Sequence, residues 1–308
     1  MAAKPKTFLA GAALVWRRQR VLWWIYILNV IFAFFATRGM VEHAGTALNH
    51  SIAGQRLVHG FDLAAFLELV LQPEAPIQSP TPAFFYFPIV FMVFMLFAVG
   101  GVLATYYHDE RLTAGPFFEA CGHHFWRFFR LLIYLAIVFI PIGILAGITG
   151  SMYNRIDERS ISPLPAVRFF VAAGVVILFL MLCIRLWFDM AQVIAVAEDE
   201  RRMHKALRRA ARLVRQNFGS LFWLYLRISL VSWVGFGLAL QCWKNHLHPE
   251  SVRSAFLLGQ AMIVFWLGTR LWQRASEALW YRRYQEASAM APVPEPVLVP
   301  ASAAAPAP

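Results

Sequence analysis

Residues 131–150 hold twenty successive positions without an Asp, Glu, Lys or Arg. Five further stretches are nearly as apolar: 21–37, 84–105, 166–188, 221–243 and 254–272. About twenty predominantly apolar residues are enough for a helix to cross the hydrocarbon core of a bilayer. A buried core helix in a soluble domain would explain one such stretch, but not six in 308 residues. Composition points the same way: 59% of residues are hydrophobic and 15% are charged, where soluble domains carry about 25% charged residues. The sequence therefore predicts an all-α polytopic membrane protein with six transmembrane helices spanning 1–286, followed by a disordered Ala/Pro-rich tail over 287–308.

Charge then orients the spans. Eighteen Lys and Arg flank alternate ends: Lys4, Lys6, Arg17, Arg18 and Arg20 before span one; Arg111, Arg127 and Arg130 between spans two and three; Arg201, Arg202, Lys205, Arg208, Arg209, Arg212 and Arg215 between spans four and five; Arg274, Arg282 and Arg283 after span six. The opposite connections hold Arg38, Arg56, Arg155, Arg159, Lys244 and Arg253. Connections rich in Lys and Arg stay cytoplasmic, so both termini are expected in the cytoplasm. The net charge of +11 is read as a topology signal, and no nucleic-acid partner is expected. The N-terminal stretch lacks a small-x-small cleavage site after the first apolar run and is not read as a cleaved signal.

The basic connectors share a pattern. Amphipathic stretches at about 7–20, 113–130 and 200–220 each precede a hairpin of two apolar runs. Tyr26, Tyr134 and Tyr225 fall at the same place in each unit, and Arg185-Leu186-Trp187 in span four recurs as Arg270-Leu271-Trp272 in span six. A three-fold internal repeat explains this; so does the common need of every span for basic and aromatic residues at the interface. Interfacial helices are expected before spans one, three and five. In the third, Leu207, Ala211, Val214 and Phe218 share one helical face, with the arginines on the flanks. That reading lays the helix in the interface, its apolar face in the acyl boundary, with anionic headgroups on Arg201, Arg202, Lys205, Arg208, Arg209, Arg212 and Arg215.

Few residues suggest chemistry. Arg185 and Asp189 are four apart in span four and can pair. With Arg227 and Arg270 they form a candidate polar cluster, since charged groups within spans are functional by default. The cluster would bind an anionic headgroup or lock three helices together. His43, His50 and His59 share an external loop (38–83) with Glu42 and Asp62, and an amphipathic helix is expected there at 61–71, but the spacings match no metal site. His123-His124 are read as polar interface residues. Cys121, Cys183 and Cys242 form no metal or disulfide pattern. Gly100-Gly101 is assigned to a close helix contact. There is no Walker lysine, Gly-x-Ser-x-Gly or His-Glu-x-x-His, so no enzyme activity, metal or cofactor is expected.

Asp189 through Asp199, then Ala206-Leu207, Ala210, Arg215-Gln216-Asn217-Phe218 and Leu224-Tyr225-Leu226, resemble a broad group of bacterial six-span proteins. That group includes the membrane domain attached to some glycerophosphoryl diester phosphodiesterases. The resemblance covers about half the chain and implies a bacterial inner-membrane bundle with interfacial helices. The catalytic domain of those enzymes has no counterpart here. The sequence reading is thus of a non-enzymatic module organising anionic membrane lipid or a membrane protein partner; the alternative is a transporter or lipid translocator working through the Arg/Asp cluster.

Overall fold

Lipid offers the backbone no hydrogen-bond partners, so each apolar run must satisfy its own peptide groups, and here each does so as a helix. In the structure, a computed structural model, residues 7–48, 82–110, 113–159, 162, 164–246 and 252–290 are described. Among them lie eight helices: α1 (Thr7–Arg17), α2 (Gln19–Leu48), α3 (Pro82–His108), α4 (Ala114–Arg159), α5 (Leu164–Ala197), α6 (Met203–Gln216), α7 (Phe218–His246) and α8 (Val252–Ala289). Six of them, α2 to α5, α7 and α8, are long and apolar enough to cross a membrane. The chain is an all-α, multi-pass integral membrane protein.

The predicted spans all sit inside longer helices. The 46 residues of α4 make a rod of about 70 Å, over twice the hydrocarbon thickness. Here the second interfacial stretch differs from expectation: 114–130 is no separate helix but the first third of α4. Nothing between Arg130 and Leu131 breaks the helix, and Pro116 sits in the first turn, where its missing N–H costs little. The helix also continues through Pro141. Before span one, by contrast, α1 is a helix of its own, ending at Arg17. The loop helix expected at 61–71, with His50, His59 and Asp62, lies outside the described residues, as does the tail from 291. Glu42 and His43 fall in the last turns of α2, where only the backbone is described.

Most of the buried residues lie at one end, while contacts at the other are fewer, such as Tyr153 on Phe170 and the buried Ala166. At the first end α1, α6, the start of α4, the end of α5 and the second half of α8 interlock. One buried cluster contains Leu103, Phe128, Leu131, Leu186, Met190, Ile194, Ala206, Ala210, Leu221 and Tyr225. A second joins Leu14, Val21, Val102, Tyr106, Phe117, Leu267, Leu271 and Ala275. Small residues set the spacing: a Cβ on Gly101 would meet Cys121 Sγ at 2.6 Å and the Phe117 ring at 2.8 Å, so α3 touches α4 as expected for Gly100-Gly101. Toward the other end, Ile137, Ile140, Ile144, Leu178, Leu230 and Phe256 face outward.

Candidate functional site

At the packed end the four basic connectors meet. Arg18 on the α1–α2 junction bonds the Asp109 carboxylate at 2.9 Å and also its carbonyl, and Arg17 reaches the same carboxylate at 3.2 Å. Arg127 of α4 bonds Asp199 Oδ1 at 2.5 Å, and the His123 ring lies 3.0 Å from the same oxygen. Asp109 and Asp199 each close a span and each adopt a left-handed backbone (φ 54° and 48°), which Asp tolerates better than most residues. One device is therefore used twice: an aspartate after the second helix of a hairpin holds the arginine that precedes the first. Tyr281 donates to Glu198 at 2.7 Å, Tyr107 donates to Gln285 at 2.6 Å, and Arg209 also pairs with Glu198. Arg127 and His123 hold the Asp199 carboxyl down to about 2, chiefly through the Arg127 hydrogen bond. A backbone N–H, that of Arg202, draws Glu200 down as well.

His123, His124 and Asp199 bring ligand atoms within 4.8 Å of one another, the kind of set that can hold a transition metal. The Arg127 guanidinium already lies on this group, 2.5 Å from Asp199 and 3.1 Å from His123 Nε2. A fixed organic cation thus takes the carboxylate.

The polar cluster is real but differently composed. Arg185 Nε approaches Asp189 Oδ2 at 3.5 Å, as the four-residue spacing requires. The closer partner of Asp189 is Arg274 of α8, at 2.9 Å. Tyr225 of α7 bonds Asp189 Oδ2 at 2.9 Å and also contacts Glu277, which has no exposed surface. Gln273 completes the ring, donating to Glu277 at 3.2 Å and accepting from Arg185 at 2.9 Å. Two carboxyl groups and two guanidiniums face each other among α5, α7 and α8.

Arg227 and Arg270 make no hydrogen bond to this ring, but Arg270 lies beside it, within electrostatic reach of Arg185 and Asp189. Each instead lies over a tryptophan of its own helix: Arg227 over Trp223 at 5.2 Å and Arg270 over Trp266 at 4.8 Å. Both are exposed. Arg270 shares a helix face with Arg274 and Glu277, four and seven residues on, and lies about one turn short of the ring. Of the ring's other members, Tyr225 was legible only as a repeat marker. Gln273, Arg274 and Glu277 lie past the predicted end of span six. The available signal was the alternation of polar residues with Leu271, Ala275 and Ala278, which marks a helix face buried beyond the membrane boundary.

The third amphipathic stretch also needs correction. Helix α6 buries Met203, Ala206, Leu207, Ala210, Leu213 and Val214, and these join the protein core rather than the acyl region. Trp187 of α5 fixes it further by donating to the Leu207 carbonyl at 2.8 Å. Ala211 is exposed because the buried face centres on Ala206, Ala210 and Leu213, and Phe218 is exposed beyond the end of the helix, where it opens α7. Arg201, Arg202, Lys205, Arg208, Arg209, Arg212 and Arg215 are all exposed.

An apolar groove of about 550 Å³ lies between α7 and α8, lined by Ser232, Trp233, Phe236, Met262, Ile263 and Trp266. A smaller hollow of about 210 Å³ continues it past Ala239, Leu258 and Ala261. The groove begins seven residues beyond Tyr225, or about 10 Å along α7.

No family model matches the chain, and no curated protein or solved structure matches it. The likeness to the phosphodiesterase-associated membrane domains rests on the residues quoted for it alone.

Proposed function

We propose that this protein is a non-enzymatic membrane module that gathers anionic phospholipid at the cytoplasmic leaflet of a bacterial inner membrane, with both termini in the cytoplasm. The observation that carries this reading is α6. Its apolar side is locked onto α5 and the bundle, so its basic side is held at a fixed attitude beside the span ends. A row of exposed Arg and Lys next to an anionic leaflet contributes about 1 kcal/mol per residue. The four connectors gathered at one end are also those richest in Lys and Arg, which supports the cytoplasmic assignment. The transport reading draws less support: the Asp189–Arg274 ring is satisfied internally, and the groove beside it is apolar.

The test is retention of lipid. Purified from native membranes, the wild type should carry phosphatidylglycerol in excess of its share of the bilayer. Arg208, Arg209, Arg212 and Arg215 changed together to Gln should lose that excess at least tenfold, since Arg208, Arg212 and Arg215 contribute about 1 kcal/mol each and Arg209 is shared with Glu198. Unchanged retention overturns the proposal. Lys205→Cys, labelled only from outside intact spheroplasts, would overturn the orientation.

A further inference from the structure

The α7–α8 groove ends in a charge. Leu258, Met262, Trp266 and Arg270 are each four residues apart on α8 and form one stripe. The first three line the groove or its continuation. The fourth lays its guanidinium against the Trp266 ring at 4.8 Å. Arg270 therefore caps the cytoplasmic end of an apolar channel that opens sideways between two spans.

We infer that this groove is a binding site for one anionic phospholipid, its phosphate on Arg270 and one acyl chain lying along α8 toward Leu258. This rests on the reading that the protein gathers anionic lipid, and gives it a defined site. Three observations carry it. First, Arg270 is exposed on a membrane-spanning helix, and among the described residues no carboxylate lies within ion-pair distance of it. The nearby Asp189 is already held by Arg274 and Arg185. A charge within a span is costly unless it finds a partner. For a guanidinium facing outward, the anion within reach is a lipid phosphate, which it matches in two-pronged geometry. Second, length fits. The stripe from Leu258 to Arg270 runs about 18 Å, and one leaflet of hydrocarbon is about 15 Å deep. Third, the groove is built into the helix contact rather than left by poor packing. Gly235 of α7 admits the Phe265 ring so closely that a Cβ there would lie 2.3 Å from it. Phe265 thus packs into α7 at the smaller hollow, while Phe236 and Trp266 line both the hollow and the groove.

The experiment uses the full chain in nanodiscs of phosphatidylcholine doped with either phosphatidylglycerol or phosphatidylcholine bearing a photoactivatable diazirine on one acyl chain. Cross-linked peptides are located by mass spectrometry. Wild type should label the 232–239 and 258–266 segments about tenfold more with phosphatidylglycerol, the equivalent of one charge-assisted contact. Arg270→Gln should bring the two lipids level there. Ala261→Trp, which fills the hollow that continues the groove, should suppress labelling by both without touching Arg270. Equal labelling by the two lipids in the wild type, or selectivity that survives in Arg270→Gln, overturns the inference. The quadruple α6 variant separates the two proposals. Groove labelling should persist when the α6 arginines are gone, and bulk phosphatidylglycerol retention should persist in Arg270→Gln.

Discussion

The two ends of this bundle are made of similarly apolar helices yet pack in opposite ways. At the clasped end the residues at closest contact are small: Ala191, Ala195, Ala206, Ala210, Ala275, Ser276 and Ala278 have no exposed surface. At the far end the same helices carry Ile137, Ile140, Ile144, Ile148 and Leu178, all more than half or nearly half exposed. Water would drive the second set together; lipid does not, because acyl chains solvate isoleucine as well as another helix does. What brings helices together inside a membrane is close approach and polar pairing. Both are concentrated at the end where Asp109, Asp199 and the Asp189–Arg274 ring lie.

The sharpest way to break this comparison is to remove one member of the ring. Asp189→Ala leaves the Arg274 guanidinium buried without its nearest carboxylate and is expected to destabilise by about 3–5 kcal/mol. Arg270→Gln, on the same helix but outside the ring, should change stability by less than about 0.5 kcal/mol. Thermal unfolding in one detergent compares them directly. Equal losses would mean that Arg270 belongs to the ring after all.

Next in size is a pair of identical substitutions at the two ends. Leu186 is fully buried and Leu178, on the same helix, is 66% exposed. Leu186→Ala should cost about 2–5 kcal/mol, as a cavity in a packed core does. Leu178→Ala should fall within about 0.5 kcal/mol. A large cost at Leu178 would show that the far end is packed against another subunit in the membrane.

How much of this the chain announced depends on which solvent decides. The spans were legible because crossing a bilayer demands long charge-free runs, and every predicted span lies within an observed helix. A helix ahead of span one and the approximate position of α6 were legible too, although the stretches read as 7–20 and 200–220 overran the helices, which end at Arg17 and Gln216. The buried face of α6 was not. The sequence reading placed it on Leu207, Ala211, Val214 and Phe218, whereas Met203, Ala206, Ala210 and Leu213 do the packing with Leu207 and Val214. Alanines are weak signals of burial in a pattern read by hydrophobicity, yet they are what permits helices to touch. In the same way the Arg185–Asp189 pair could be read from local spacing. Its stronger partners could not: Tyr225 lies 36 residues away and Arg274 farther still, and only tertiary contact unites them. Arg270 does adjoin the ring, but Arg227 and Arg270 set their guanidiniums over Trp223 and Trp266, a choice that charge alone does not reveal.

The smallest expected effect tests the clasp itself. Asp199 has a carboxyl held at about 2 in the folded protein by Arg127 and His123, against about 3.9 for an unfolded aspartate. A lowered folded value means that the ionised form is favoured by folding. The contribution is then fully present above about pH 4 and is lost as pH falls through about 2. Because the Asp199 side chain is 58% exposed, solvent screening keeps that contribution below about 1 kcal/mol. Asp199→Asn should therefore be slightly less stable than wild type at pH 5. The difference should begin to close below about pH 4, as the wild-type carboxyl of the unfolded chain takes up its proton. Denaturant unfolding of both proteins in the same micelles measures it. A gap that widens on acidification would reverse the sign of the linkage and remove Asp199 from the forces holding α4 to the α5–α6 connector. The connector would then be held by the buried contacts of α6 alone.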